Sequence, residues 1–223
     1  MKNDLLKEAL CKVGAGIALL GLLIFLPAGT LRFPNGWLLM GLLFVPMIAA
    51  GFVMLRRSPE LLEKRLNTKE KEREQKEVVL SSAAMFIAAF AVAGFNYRFG
   101  WLPLPRWTVI TASVLFLLAY ALYAEVLREN AWLSRTVDVQ EGQKVIDTGL
   151  YGVVRHPMYS ATVLLFLAMP LILGSVFSFL IMLIYIPLIV KRIRNEEKVL
   201  EKGLEGYRDY EKKVPWRLIP YLW

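Results

Sequence analysis

The chain has 223 residues, 57% of them hydrophobic and 21% charged, with a net charge of +8 at neutral pH and a mean hydropathy of +0.47. This balance excludes a water-soluble enzyme and describes a protein that crosses a membrane several times. A single cysteine, Cys11, excludes an intrachain disulfide, and with one histidine as well the chain offers no basis for a zinc centre.

The N-terminus has a basic start and an apolar stretch without an obvious small-residue cleavage site after Pro27, so it reads as a retained first span, Val13–Ala28. Gly36–Leu55 is a second stretch near the length a bilayer demands. The longest charged segment follows, from Arg56 to Glu77. In it Ser58-Pro59-Glu60 predicts a helix start, with Ser58 as cap and an acid in the first turn, and Leu61, Leu62 and Leu66 are expected to rest on the membrane surface. Val78–Phe95 and Trp107–Leu127 are the third and fourth spans.

From Arg128 to Pro157 the chain turns polar, and Gly142 and Gly149 break any helix. Val137-Asp138-Val139 and Lys144-Val145-Ile146 have short extended patterns. Ordering so long a polar loop between two spans costs entropy, which a bound ligand would offset. Tyr151 and then Arg155-His156-Pro157-Met158-Tyr159 place aromatics, a cation and the sole imidazole where the chain re-enters the membrane. Pro157 pushes His156 towards extended backbone and predicts a helix beginning after it, whose first N–H groups are candidate anion donors.

Pro157 to Val190 is 34 residues without a charge. One helix of that length would span about 50 Å, against a hydrocarbon layer of about 30 Å, so the segment is expected to fold back near Pro170 and Gly174-Ser175. The hairpin brings the count to six spans. With the N-terminus inside, 24 of the 27 Lys and Arg residues fall on the cytoplasmic side, leaving Arg32, Arg98 and Arg106 outside. The same bias, with contact to anionic lipid headgroups, accounts for the net charge without a nucleic-acid partner.

The hairpin returns Lys191-Arg192-Ile193-Arg194-Asn195-Glu196-Glu197 to the side of the His-Pro cluster. Ile189, Ile193, Leu200 and Leu204 form one helical stripe, so this helix is expected to emerge along the membrane face with Glu196 and Glu197 bordering the stripe and Arg192 one turn before Glu196. A fixed cation and carboxylate there suit a zwitterionic ligand or an acidic acceptor.

In this order, Gln143-Lys-Val-Ile-Asp-Thr-Gly-Leu-Tyr151, Arg155-His-Pro-Met-Tyr159, a hairpin, Arg192-Ile-Arg-Asn-Glu-Glu-Lys-Val-Leu200 and Gly206-Tyr-Arg-Asp-Tyr-Glu-Lys-Lys-Val214 resemble the isoprenylcysteine carboxyl methyltransferase and phospholipid methyltransferase superfamily, over roughly Asn130 to the C-terminus. The C-terminal pattern is similar to prokaryotic members, and Gln143 stands where the eukaryotic enzymes carry His.

The resemblance implies an all-α transmembrane bundle in a single domain, 1–223, with four N-terminal spans in 1–127, then a cytoplasmic cofactor-binding loop, the hairpin and a C-terminal helix in 128–223. It implies S-adenosylmethionine as methyl donor and a lipophilic or lipidated acceptor approaching through the membrane. Carried over by motif, the cofactor contacts are Gln143, Lys144, Val145, Ile146, Tyr151, His156, Pro157, Met158, Tyr159 and Glu196. Arg192 would hold the acceptor, with Arg155 as a second cation. No metal is implied. A carboxylate acceptor needs only steering, whereas an amine must lose a proton, for which His156 and Glu125 are the candidates. The competing expectation is an NADPH-dependent membrane reductase of the sterol-reductase type.

Overall fold

The computed structural model describes residues 2–67, 73–134 and 136–223. Residues 68–72 of the charged segment and Arg135 of the polar loop, both counted above as cytoplasmic, lie outside the described residues.

Four long helices come first or are interleaved with one short one: α1 (Lys2–Ala28), α2 (Pro34–Arg57), α3 (Pro59–Leu66), α4 (Arg73–Phe99) and α5 (Arg106–Glu129). The C-terminal part holds α6 (Pro157–Ile172), α7 (Val176–Met182), α8 (Tyr185–Gly203) and α9 (Tyr207–Lys213), with a 3-10 turn at Gly149–Gly152. No strand forms among the described residues, and Val137–Val139 and Lys144–Ile146 lie in the loop without ladder partners.

Among the described residues, five stretches are long and apolar enough to cross a membrane: Asn3–Ala28, Pro34–Arg57, Gln75–Phe99, Arg106–Glu129 and Val176–Gly203. The sixth expected span, the first arm of the hairpin, is the 16-residue α6. Large apolar side chains such as Leu22, Leu26, Trp107 and Ile110 face outward, as a lipid-facing surface requires.

The fold-back occurs at Leu173-Gly174-Ser175, and α6 continues past Pro170 to Ile172. Pro170 lacks an N–H, yet its carbonyl receives Ser175 N at 3.0 Å, which helps to close the turn. Gly174 adopts φ +76, a conformation that costs an L side chain about 1–2 kcal/mol. Asn96 of α4 then donates to the Gly174 carbonyl at 3.4 Å and Ser178 donates to the Ala89 carbonyl at 2.7 Å, so α4 supplies buried polar partners for the hairpin.

Two apolar clusters hold the membrane helices, and a third, Leu204, Tyr207, Tyr210 and Val214, packs α9 beside the end of α8. Ile24, Leu39, Phe116 and Ile172 bring α1, α2, α5 and α6 together, and Met85, Ala89, Met182, Ile189 and Ile193 pack α4 against α7 and α8. The second cluster fixes the height at which α8 leaves the bundle and therefore places the residues after Val190.

Helix α3 differs from expectation in two respects. Ser58 stands at its N-cap but its side chain makes no capping hydrogen bond; the Ser58 carbonyl instead receives Leu61 N and Leu62 N at 3.1 and 3.2 Å. Leu61 and Leu62 are buried within the protein, and Leu66 is half-buried at the wall of an apolar cavity, because α3 folds onto α1 and α2 instead of lying free on the lipid surface.

Candidate functional site

The end of the hairpin is a pocket built from four pieces of chain: the polar loop after α5, the 3-10 turn, the first turn of α6, and α8 with α9. The loop is held by its own polar groups. Gln140 Nε2 donates to the Trp132 carbonyl at 2.6 Å, Gln140 N donates to Gln143 Oε1 at 2.9 Å, and Ser134, Thr136 and Asp138 form a chain of side-chain hydrogen bonds at 3.0 and 3.3 Å.

Glu129, the last residue of α5, accepts Leu150 N on both carboxylate oxygens, at 3.2 and 2.9 Å. Gly149 permits this clamp: it sits at φ +57, and a Cβ there would collide with the Glu129 carboxylate. The clamp presents Tyr151, whose hydroxyl accepts Asn130 Nδ2 at 3.0 Å and whose carbonyl accepts the Tyr210 hydroxyl at 2.7 Å. Lys213 bonds Asp147 at 2.6 Å, and that hydrogen bond and charge hold the Asp147 carboxyl below its ordinary value.

Helix α6 begins at Pro157 with His156 as its N-cap residue, as the proline predicts. Two of its early donors are taken within the turn, since Tyr159 N and Ser160 N both bond the His156 carbonyl, at 3.0 and 3.2 Å. The C-terminal chain runs back alongside: Arg155 N reaches the Trp216 carbonyl at 2.8 Å and His156 N the Arg217 carbonyl at 2.9 Å.

The two glutamates of α8 have separate surroundings. Glu197 is buried and receives Arg155 at 2.8 Å, His156 Nε2 at 3.3 Å and Arg217 at 2.8 Å. Glu196 is half-buried on the pocket wall and accepts the Tyr159 hydroxyl in a short hydrogen bond, while Arg192 Nε donates to that same hydroxyl at 2.9 Å. Arg192 and Glu196, one turn apart, are thus bridged by a tyrosine from another helix.

Gln143, Lys144, Val145, Ile146, Tyr151, His156, Met158, Tyr159, Arg192 and Glu196 all line this one pocket, and so does Arg155. Pro157 is fully buried behind the wall and does not line it. Arg155 has little left for a ligand. Besides Glu197, its Nη1 lies within 3.1–3.4 Å of the Glu211, Val214 and Pro215 carbonyls, so its guanidinium fastens the C-terminal segment to α8. Glu125 accepts two nitrogens of Arg128 and is absent from the pocket lining, whereas His156 lines the pocket with its Nε2 on the Glu197 carboxylate.

Sequence reasoning missed Asn130, Trp132, Asp138, Tyr207 and Tyr210, which also line the pocket. Tyr207 and Tyr210 are three apart on α9, a spacing that places two rings on one helix face and could have marked them. The Tyr207 hydroxyl is buried without a hydrogen-bond partner. Burial, with Glu197 and Glu196 nearby, raises its pKa far above the ordinary value, so it remains an O–H donor. A buried donor left unpaired in the wall of a pocket is what a site for a polar ligand presents.

The pocket's inner space is about 100 Å³, several times what one water requires. A second cavity, about 560 Å³ and almost wholly apolar, lies between α1, α2, α3, α5 and α6; Thr162 of α6 is on its wall, one turn from the Met158 and Tyr159 of the polar pocket. Among the described residues, no group of three or more His, Cys, Asp or Glu side chains is placed to hold a metal ion.

Residues 107–205 match the model of the phospholipid methyltransferase family, so the superfamily resemblance read from the sequence is found over α5 to α8. The chain is also similar to a Delta(14)-sterol reductase of Mus musculus, 32% identical over 91 residues, and to a Delta(14)-sterol reductase of Methylotuvimicrobium alcaliphilum, 24% identical over 135 residues. These alignments cover 40% and 54% of this chain but 22% and 32% of the relatives, so the chain spans about a third or less of either protein.

Proposed function

We propose that this protein is an integral membrane methyltransferase that takes its methyl group from S-adenosylmethionine and passes it to a lipophilic acceptor. The observation that carries the reading is the convergence of Glu196, Tyr159 and Arg192 at the pocket wall, beside an apolar cavity that opens among the membrane helices.

S-adenosylmethionine supplies a methyl carbon on a positively charged sulfur, which leaves as a neutral thioether when the acceptor's lone pair attacks. The residues present fit such a ligand. Glu196 offers a carboxylate to an ammonium group, Tyr159 and Tyr151 offer ring faces that tolerate a cation, and the Tyr207 hydroxyl and the loop carbonyls offer polar contacts to a nucleoside. Val145, Ile146, Leu200 and Leu204 supply apolar wall for a planar base. Arg192 would steer an anionic acceptor towards the pocket, and Tyr159, hydrogen-bonded to both Arg192 and Glu196, fixes the distance between the two charged groups. Such alignment can supply roughly 7–11 kcal/mol of a two-reactant barrier without an activated base.

The relatives named as sterol reductases favour one second reading, binding of NADPH in the same pocket. Its phosphates would need several cations. The wall carries Lys144, Arg155 and Arg192, of which Arg155 is already committed to Glu197, and it also carries Asp138 and Glu196. Two remaining cations beside two carboxylates are few for the phosphates of NADPH, while Glu196 suits the ammonium of S-adenosylmethionine.

Titration calorimetry of the purified chain with S-adenosylmethionine, S-adenosylhomocysteine and NADPH separates the two. Binding of the two sulfur nucleosides is expected; heat from NADPH alone would replace methyl transfer with hydride transfer.

A further inference from the structure

Arg65, near the end of α3, stands between the two cavities. Arg65 is among the residues that line the apolar cavity, while its Nη1 reaches the Ser134 carbonyl at 3.2 Å and the Met158 sulfur at 3.8 Å, both residues of the polar pocket. Its Nη2 makes a short hydrogen bond to the Tyr123 hydroxyl, with the guanidinium carbon 5.5 Å from the centre of that ring. Every one of these partners is neutral. Among the described residues no carboxylate pairs with Arg65, although it is half-buried. A guanidinium withdrawn from water without a counter-charge is costly, and its planar fork matches a carboxylate or a phosphate.

The cavity beside it has the complementary shape for a chain. Its walls are Leu43, Met47, Leu55, Leu165 and Phe166, and Lys12, its other basic residue, is already paired with Glu8 at 2.5 Å. Helix α3 is itself anchored, by buried Leu61 and Leu62, by Lys12 Nζ on the Leu66 carbonyl at 2.6 Å, and by Lys64 stacked 5.2 Å from the Trp132 ring. Arg65 is therefore carried on a fixed element at the boundary.

We propose that Arg65 is the anion-recognition residue of the apolar cavity, as distinct from Arg192 on the wall of the polar pocket: the cavity takes the hydrocarbon chain of a membrane amphiphile, and Arg65 pairs with the carboxylate or phosphate at that chain's head. The designation of this amphiphile as acceptor rests on the methyl-transfer reading; the anion site does not. An aliphatic amine is disfavoured, because its ammonium would meet an uncompensated cation.

The test is displacement of radiolabelled palmitate from the full chain in phosphatidylcholine nanodiscs by palmitate, hexadecyl phosphate and hexadecylamine, three heads on one chain length. Wild-type protein is expected to bind the anions roughly ten- to hundredfold more tightly than the amine, the range of one charge-assisted pair. Stronger binding of the carboxylate points to a free lipid acid, and of the phosphate to a phospholipid headgroup. Arg65→Gln is expected to abolish the preference and Arg65→Lys to retain part of it. Undiminished preference in Arg65→Gln overturns the proposal. So does a wild-type protein that prefers the amine or ranks the heads equally, which needs no variant to fold. S-adenosylhomocysteine titrated into the same samples reports on methyl transfer separately: wild-type protein that binds the anions through Arg65 but no nucleoside keeps the anion site and loses the methyltransferase reading.

Discussion

Adjacent glutamates on α8 should fail in opposite ways when each is replaced by glutamine. Glu197 is 4% exposed and is the counter-charge for Arg155, itself 7% exposed, as well as the partner of His156 and Arg217. Removing one member of a buried ion pair costs about 3–5 kcal/mol, because the other charge stays buried. Glu211, 3.7 Å from Arg155, remains as a partial counter-charge, and glutamine can still accept a hydrogen bond, so Glu197→Gln is placed at the lower end, about 3 kcal/mol. For a chain of this size that is a fall of roughly 6–12 °C in melting temperature. Glu196 is half-buried, with the Tyr159 hydroxyl as its hydrogen-bond partner, so Glu196→Gln should cost about 1 kcal/mol or less in the ligand-free protein. Its effect should appear on binding, as a roughly tenfold or greater loss of S-adenosylhomocysteine affinity from the missing ammonium contact. Thermal unfolding of the purified chain at a fixed heating rate, with and without S-adenosylhomocysteine, reads both quantities. Equal melting of Glu197→Gln and wild type, or normal ligand affinity in Glu196→Gln, would refute the division of labour.

The remaining predictions concern the opposite wall. Gly149→Ala forces a side chain into φ +57 and against Glu129, so the clamp on Leu150 should open; a lower melting temperature and weaker nucleoside binding are expected together, and an unchanged titration would show that the clamp does not shape the pocket. Tyr207→Phe removes an unpaired buried hydroxyl, so the ligand-free protein should melt at the same temperature or higher while S-adenosylhomocysteine binds roughly five- to tenfold more weakly; equal affinity would mean that the hydroxyl does not meet the ligand.

Half of the pocket's lining residues were legible, largely because they come in contiguous runs. Gln143 to Ile146 and His156 to Tyr159 each carry several wall positions, and a polar run at the mouth of an apolar hairpin stands out against its flanks. Arg155 and Glu197 were not legible in the same way. On the sequence Arg155 is one more cation beside His156, and only the return of the C-terminal segment shows its donors occupied by Glu197 and three carbonyls. The surface role expected for α3 gave way to a packed one because amphipathicity records that Leu61 and Leu62 avoid water, not whether lipid or protein covers them.

Spans, the hairpin and the helix start at Pro157 follow from the sequence alone, because hydropathy, segment length against bilayer thickness and the fixed φ of proline act locally and need no knowledge of neighbours. Which glutamate is buried and which faces the pocket, which arginine is tied down and which stands without a carboxylate, were decided by tertiary structure. A charge's role depends on what else lies within a few ångströms, and here those neighbours arrive from 20 to 93 positions away along the chain.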